Sequence, residues 1–197
     1  MARPRVHDAA LRGRLLDVAS RTISEHGESA VTVRSVAADA GTSASAVYAL
    51  FGSRDELVAA VSAEGFRRFA GHLDAVARTT DPAADLAALA RAYRDFALAD
   101  PHFYAVMFGR GVRPAADAPD SVEQATFVTL RDAVRRLAPE APLDTARDVA
   151  LGLWGLVHGL VSLELAGLVP GDDGARAARY AAATGAVGRG LVTTTQG

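Results

Sequence analysis

Between Thr32 and Phe51 two short helical segments follow each other with almost nothing between them, and this spacing constrains the fold more than any other feature. Thr32 is a good N-cap for the first segment, residues 33–40, in which Val36 and Ala37 point inward. Gly41 breaks it. Ser43 then caps a second segment that runs to about Phe51, and Gly52-Ser53 closes that one. Ser53 is followed three residues later by Glu56, a capping-box signature for a long helix through Leu57, Val61 and Phe69 towards Val76. Two short helices joined by a glycine turn have the spacing of a DNA-reading helix-turn-helix. Val36, Ala37, Val47 and Leu50 can form the small core that fixes their angle, and Ala40 and Gly41 are too small to hold the helices apart. An ordinary corner between two helices of a helical protein carries the same pattern.

The rest of the chain is also punctuated as helices. An amphipathic segment at about 9–25 places Leu11, Leu15, Val18, Ala19 and Ile23 on one face and stops at Gly27. Asp81-Pro82 opens a helix with Leu86, Leu89, Tyr93 and Phe96 at helical spacing, and Asp100-Pro101 interrupts it before a short aromatic piece. Residues 109–118 read as a surface loop, followed by helices at about 119–138, 143–168 and 173–194. No strand pattern occurs. The expectation is an all-α fold of about nine helices: a three-helix, DNA-binding helix-turn-helix domain over 1–54, and a larger helical domain over 55–197.

Composition narrows the function. Half of the residues are apolar and 22% are charged, which is a globular balance. All 21 basic residues are Arg and the net charge is −2, so any nucleic-acid surface is local. Arg3, Arg5, Arg12 and Arg14 against Asp8 alone put a DNA-facing end at the N-terminus, unless they form a solvated tail. Cysteine is absent, and the basic N-terminus is not followed by an apolar signal segment, so a cytoplasmic protein is expected. The five histidines, at 7, 26, 72, 102 and 158, lack metal-ligand spacing. With no Glu-x-x-His pair, phosphate loop or nucleophile elbow, no enzyme, metal or cofactor is expected. Residues 149–170 are long and apolar enough for a membrane span, but His158 and Glu164 inside the run favour a buried core helix and no membrane.

As a reading helix, the second short segment presents Ser43, Ala44, Ser45 and Tyr48 outward, small enough at its N-terminal end to enter a major groove. Thr32, Ser43 and Tyr48 can donate hydroxyls to phosphate, and Arg34 and Arg54 can pair with the DNA backbone. The stretch VTVRSVAADAGTSASAVYALFGSRDELVAAV resembles the N-terminal domain of tetracycline-repressor-type (TetR) regulators. Val36-Ala37, Ala40-Gly41, Ser43, Val47-Tyr48, Phe51, Arg54 and Leu57 carry the likeness, which covers about residues 8–61. Two departures are Thr42 in place of the usual Val and Arg54 in place of the common Lys. Ala44 and Ala46 leave little hydrogen-bonding chemistry for base readout, so Ser43, Ser45 and Arg34 gain weight.

The resemblance implies that the remainder is a variable helical domain for ligand binding and dimerisation. It implies a homodimeric repressor on a near-palindromic double-stranded DNA operator, released by a small apolar effector. Activation stays open, as does a helical protein-interaction module without DNA binding. Gly152, Gly155, Gly159, Ser162 and Ala166 recur at spacings of three and four, as do Ala178, Ala181, Gly185 and Gly188 on the last helix. These stripes form either a four-helix dimer seam or a close contact within one chain. A second stripe is Leu151, Trp154, His158, Val161 and Leu165, and Trp154 to Gly159 resembles the Trp-His-Gly signature of a TetR subfamily. Phe96, Phe103, Met107, Phe127, Trp154 and His158 are candidate cavity-lining residues, with Tyr93 and His102 further candidates; each is otherwise core.

Overall fold

A computed structural model of the protein describes residues 5–109 and 122–194. Among the described residues there are nine α-helices and no strand: α1 (Arg5–His26), α2 (Val33–Asp39), α3 (Ala44–Phe51), α4 (Arg54–Asp74), α5 (Pro82–Ala99), α6 (Pro101–Phe108), α7 (Val122–Leu137), α8 (Leu143–Leu165) and α9 (Asp173–Thr194). A single 3₁₀ turn, Glu28–Ala30, joins α1 to α2. All but the first residue of the loop expected at 109–118 falls outside the described residues, as do Arg3 and the side chain of Arg5.

The chain divides into two compact units, one of Met1–Arg68 with Asp100–Pro119 and one of Phe69–Ala99 with Asp120–Gly197. In the first unit, α1 contributes Leu15, Leu16 and Ala19 to a core shared with Val36, Val47, Leu57 and Val61, all essentially solvent-free. Helix α6 packs on α1. It also presses on α4 where Gly65 sits, since a Cβ there would come within 2.7 Å of Met107 Cγ. Arg68 of α4 ties this unit together. Its guanidinium donates to Glu64 (2.9 Å), to Asp17 of α1 (2.8 Å) and to Asp100 ahead of α6 (3.3 Å), and it lies 4.2 Å from the Phe103 ring centroid. Hydrogen bonds from Arg67 and then Arg68 outweigh the cost of burial and hold the Glu64 carboxyl down at about 2.

The second unit is a bundle in which α7 packs on α5 and α8, and α9 on α5 and α8. Its core joins Leu86, Ala133, Val134, Ala146, Ala150 and Leu153, flanked by the partly buried Phe127, Leu130 and Leu137. Asp85, at the start of α5, accepts hydrogen bonds from Thr79 and from Arg136 of α7 (2.5 Å), which lower its carboxyl to about 2 and fasten the α4–α5 connection.

The buried face of α8 is Ala146, Ala150, Leu153, Val157 and Val161, which shares only Val161 with the stripe of Leu151, Trp154, His158, Val161 and Leu165. Of that stripe only Val161 is buried; Trp154 and His158 are half-buried, and Leu151 and Leu165 are exposed. The helix is apolar almost all round, so periodicity alone does not fix its phase, and the small Ala146 and Ala150 are what fit against the core. By length and a mean hydropathy of 1.3, α8 could cross a membrane. Its Glu164, however, is held by Arg94 of α5 at 2.5 Å and approached by Arg176 of α9 at 3.6 Å. That ion pair is almost out of solvent, which ties α8 to its neighbours as a helix of this bundle.

Candidate nucleic-acid interface

The two short helices are built by local chemistry. The Thr32 hydroxyl accepts from the Ser35 amide at 3.0 Å while Ser35 Oγ accepts from the Thr32 amide at 3.3 Å, a reciprocal cap on α2. At the other end the Gly41 amide donates to Ala38 and the Thr42 amide to Ala37, at 3.0 and 2.8 Å. This Schellman closure requires a left-handed residue at position 41, where the glycine sits at φ +67°. Ser43 Oγ accepts from the Ala46 amide at 3.2 Å and starts α3.

Val36, Ala37 and Val47 are buried between the helices as the sequence suggests. Leu50 is only half-buried, and Phe51 takes its place in the core, with the Arg12 guanidinium 5.3 Å from its ring centroid. The two faces of α3 are therefore distinct. Val47 and Phe51 look inward; Ser45, Tyr48 and Ala49 are exposed, with Tyr48 at 54%. Thr32, Arg34 and Ser43 are exposed beside them, and Ala44 is half-buried at the first turn. The inward face places six of the seven expected contact residues on an accessible surface.

Arg54 differs. Its Nε donates to the Val31 carbonyl at 3.0 Å and its Nη2 to the Glu28 carbonyl at 2.5 Å. Nη1 reaches the Asp55 and Glu28 carboxylates at 2.9 and 3.4 Å. The guanidinium thereby binds the 3₁₀ turn to the start of α4. Ala49, which sequence reasoning passed over, lies one turn beyond Ser45 on the exposed face; the spacing of four from Ser45 was the available signal.

A family model for the bacterial regulatory proteins of the tetR family matches residues 15–61, and one for the tetracycline-repressor-like C-terminal domain matches residues 86–187, more than half of the chain. The chain belongs to the TetR family. TetR-family proteins are transcription regulators rather than enzymes, and the named relatives agree. The HTH-type transcriptional regulator Rv1816 of Mycobacterium tuberculosis is 30% identical over 115 residues, covering 55% of this chain and 47% of the relative. The chain spans about half the length of the curated relatives it matches. SCO4313, described as a regulatory protein, has a crystal structure that matches with a TM-score of 0.71 at 29% identity, over 94% of this chain and 98% of that one. A TetR variant from Acinetobacter baumannii AYE in complex with minocycline shares the fold, with a TM-score of 0.62 at 18% identity over 93% and 97% of the two chains.

In this TetR chain the expected effector-site residues fall into both units. Phe103 and Met107 are buried in the first unit, under Arg68 and against Gly65. Phe96 is fully buried in the second, 5.2 Å from the Phe69 ring and 5.3 Å from His72. Phe127 and Trp154 lie 6.2 Å apart, and His158 Nδ1 is 3.1 Å from the Tyr93 hydroxyl. Burial lowers the His158 pKa and favours the neutral imidazole.

The small-residue stripes lie on accessible faces. Gly152 and Gly155 are exposed and Gly159 and Ser162 half-exposed, and a Cβ added to any of the three glycines would meet nothing within 4 Å. Ala178 and Ala181 are exposed and Gly185 half-exposed, while Gly188 lies outside the residues whose surroundings are described. Leu151, Leu163 and Val187 add exposed apolar area on the same two helices.

Proposed function

We propose that the protein is a homodimeric repressor that occupies a near-palindromic DNA operator and leaves it when a small apolar effector binds. The observation that carries the reading is α3: a capped helix with one face locked in the core and the other, Ser45, Tyr48 and Ala49, open to a groove. Ser43, Ala44, Ser45 and Tyr48 contact DNA in this reading, with Thr32 and Arg34 on phosphates, while Arg54 holds the head in shape. The reading head is residues 1–54 and the remainder receives the effector and the partner copy. Acting on DNA, it works in the cytoplasm.

The partner copy covers the stripe of Gly152, Gly155, Gly159 and Ser162 on α8 and that of Ala181, Gly185 and Gly188 on α9. The bare glycine backbones of α8, where an added Cβ at Gly152, Gly155 or Gly159 meets nothing within 4 Å, support a two-fold contact that would space two reading heads for two half-sites. For the effector the reading keeps Phe96, Phe127, Trp154 and His158. Burial favours the neutral form of His158, so the residue brings no charge to that region, which suits an apolar ligand. The ligand shifts occupancy only if it binds the released and operator-bound arrangements differently.

A gel-shift titration of the full chain with the DNA flanking its own gene tests the reading. Retarded complex at low salt, weakened similarly on all bound sequences by Tyr48→Phe, is the expected result. No complex even at low salt would favour a helical protein-interaction module.

A further inference from the structure

The groove-facing chemistry of α3 is unusual in what it lacks. Residues 44–51 contain no Arg, Lys, Asn, Gln, Asp, Glu or His. The side chains that fork onto guanine (Arg, Lys) or adenine (Asn, Gln) are therefore missing from the whole helix. Its exposed face consists of Ser45, Tyr48 and Ala49, with Ala44 and Ala46 half-buried at its margins. Of the serines ahead of it, Ser43 is engaged in capping, and its hydroxyl and that of Ser45 bond each other at 2.9 Å. Across residues 32–53 there is one cation, Arg34, and one anion, Asp39. Methyl groups and hydroxyls remain. In a major groove, an alanine methyl has one base-specific counterpart, the C5-methyl group of thymine, whereas a serine hydroxyl serves any base.

We propose that this chain selects its operator through thymine C5-methyl groups, met by Ala49 and Ala44 of α3, rather than through forked hydrogen bonds to purines. The inference rests on the DNA-binding reading above and adds what the helix recognises. It separates major-groove methyl contact from an AT preference generated by arginines in the minor groove, because the two depend on different edges of the same base pair.

The test begins with selection by the full-length protein from a duplex pool with a random core. The selected duplex is then resynthesised with deoxyuridine at each thymine in turn. Deoxyuridine keeps the pairing and minor-groove edges and lacks only the methyl. Each contacted thymine should lose about fourfold in affinity, the value of one apolar carbon removed from water. In Ala49→Gly or Ala44→Gly protein the ratio of thymine to deoxyuridine affinity at one position should fall to about one. Deoxyuridine duplexes bound as tightly as the parent by the unaltered protein would overturn the thymine reading while leaving DNA binding intact. That comparison needs no variant and so stands even if a glycine substitution unfolds α3. Failure to enrich any sequence, together with no duplex bound at low salt, would overturn the DNA-binding reading and this inference with it.

Discussion

Arg54→Ala should lower the melting temperature while leaving the salt dependence of DNA binding as it is. The guanidinium supplies hydrogen bonds to two main-chain carbonyls of the α1–α2 connection, those of Glu28 and Val31, and Val31 itself is 1% exposed. A hydrogen bond from a charged donor is worth about 1.5–3 kcal/mol. The Arg54 side chain is 34% exposed, so water replaces part of what is lost, and the two bonds together come to roughly 2 kcal/mol. For a chain of this size that is a fall of roughly 4–8 °C. Arg54→Lys should recover less than half, because an ammonium cannot bridge both carbonyls in one plane. The assay is a circular-dichroism melt paired with binding measured between roughly 50 and 200 mM salt. A phosphate-contacting arginine would behave in the opposite way, reducing the salt slope by about one with little effect on melting. An unchanged melt with a shallower slope would refute the buttress reasoning.

Gly155→Leu should leave the single chain folded, since nothing lies within 4 Å of its added Cβ, but convert dimer to monomer in sedimentation; a variant that stays dimeric counts against the α8 contact. Glu64 titrates at about 2 instead of 4.5, so its contribution is fully present above pH 4.5 and is lost as pH falls towards 2. That contribution amounts to roughly 3 kcal/mol at most, and Glu64→Gln should flatten the acid limb of stability in that window; an unaltered limb would show that other carboxylates control it. Glu164→Ala should cost about 3–5 kcal/mol in urea unfolding by stranding Arg94, whereas replacing both partners with apolar residues of similar volume should be nearly neutral. Equal losses in the two would refute the desolvation argument.

Helix positions were readable because their signals are local. Thr32, Gly41, Ser43 and Ser53 act on amides within three or four residues, and the bounds of α2, α3, α5 and α9 match the punctuation closely. Contacts distant in sequence were not. Arg54 finds its carbonyls 23 and 26 residues upstream, and Arg94 finds Glu164 70 residues downstream, with nothing in spacing or periodicity to announce either. The packing of α6 with α1 and against Gly65 is equally non-local. The buried phase of α8 was not legible for a different reason: where both faces are apolar, the hydrophobic pattern carries no direction, and residue size against the neighbouring helices decides. Of the reading head, the exposed side chains were legible from helical geometry, while the engagement of Arg54 was not.

The bare glycines of α8 make the helix weaker than it needs to be in a solitary chain. Alanine at Gly152, Gly155 or Gly159 would meet no obstacle and would strengthen the helix by up to about 1 kcal/mol each. A sequence tuned only for the endurance of the monomer would not retain them. Under the proposed pairing, association and folding become one mass-action equilibrium, so the melting temperature should climb with protein concentration. Alanine replacements that toughen the isolated chain would then erode that dependence. The same substitution would read as stabilising in dilute solution and as damaging wherever two half-sites must be bound at once.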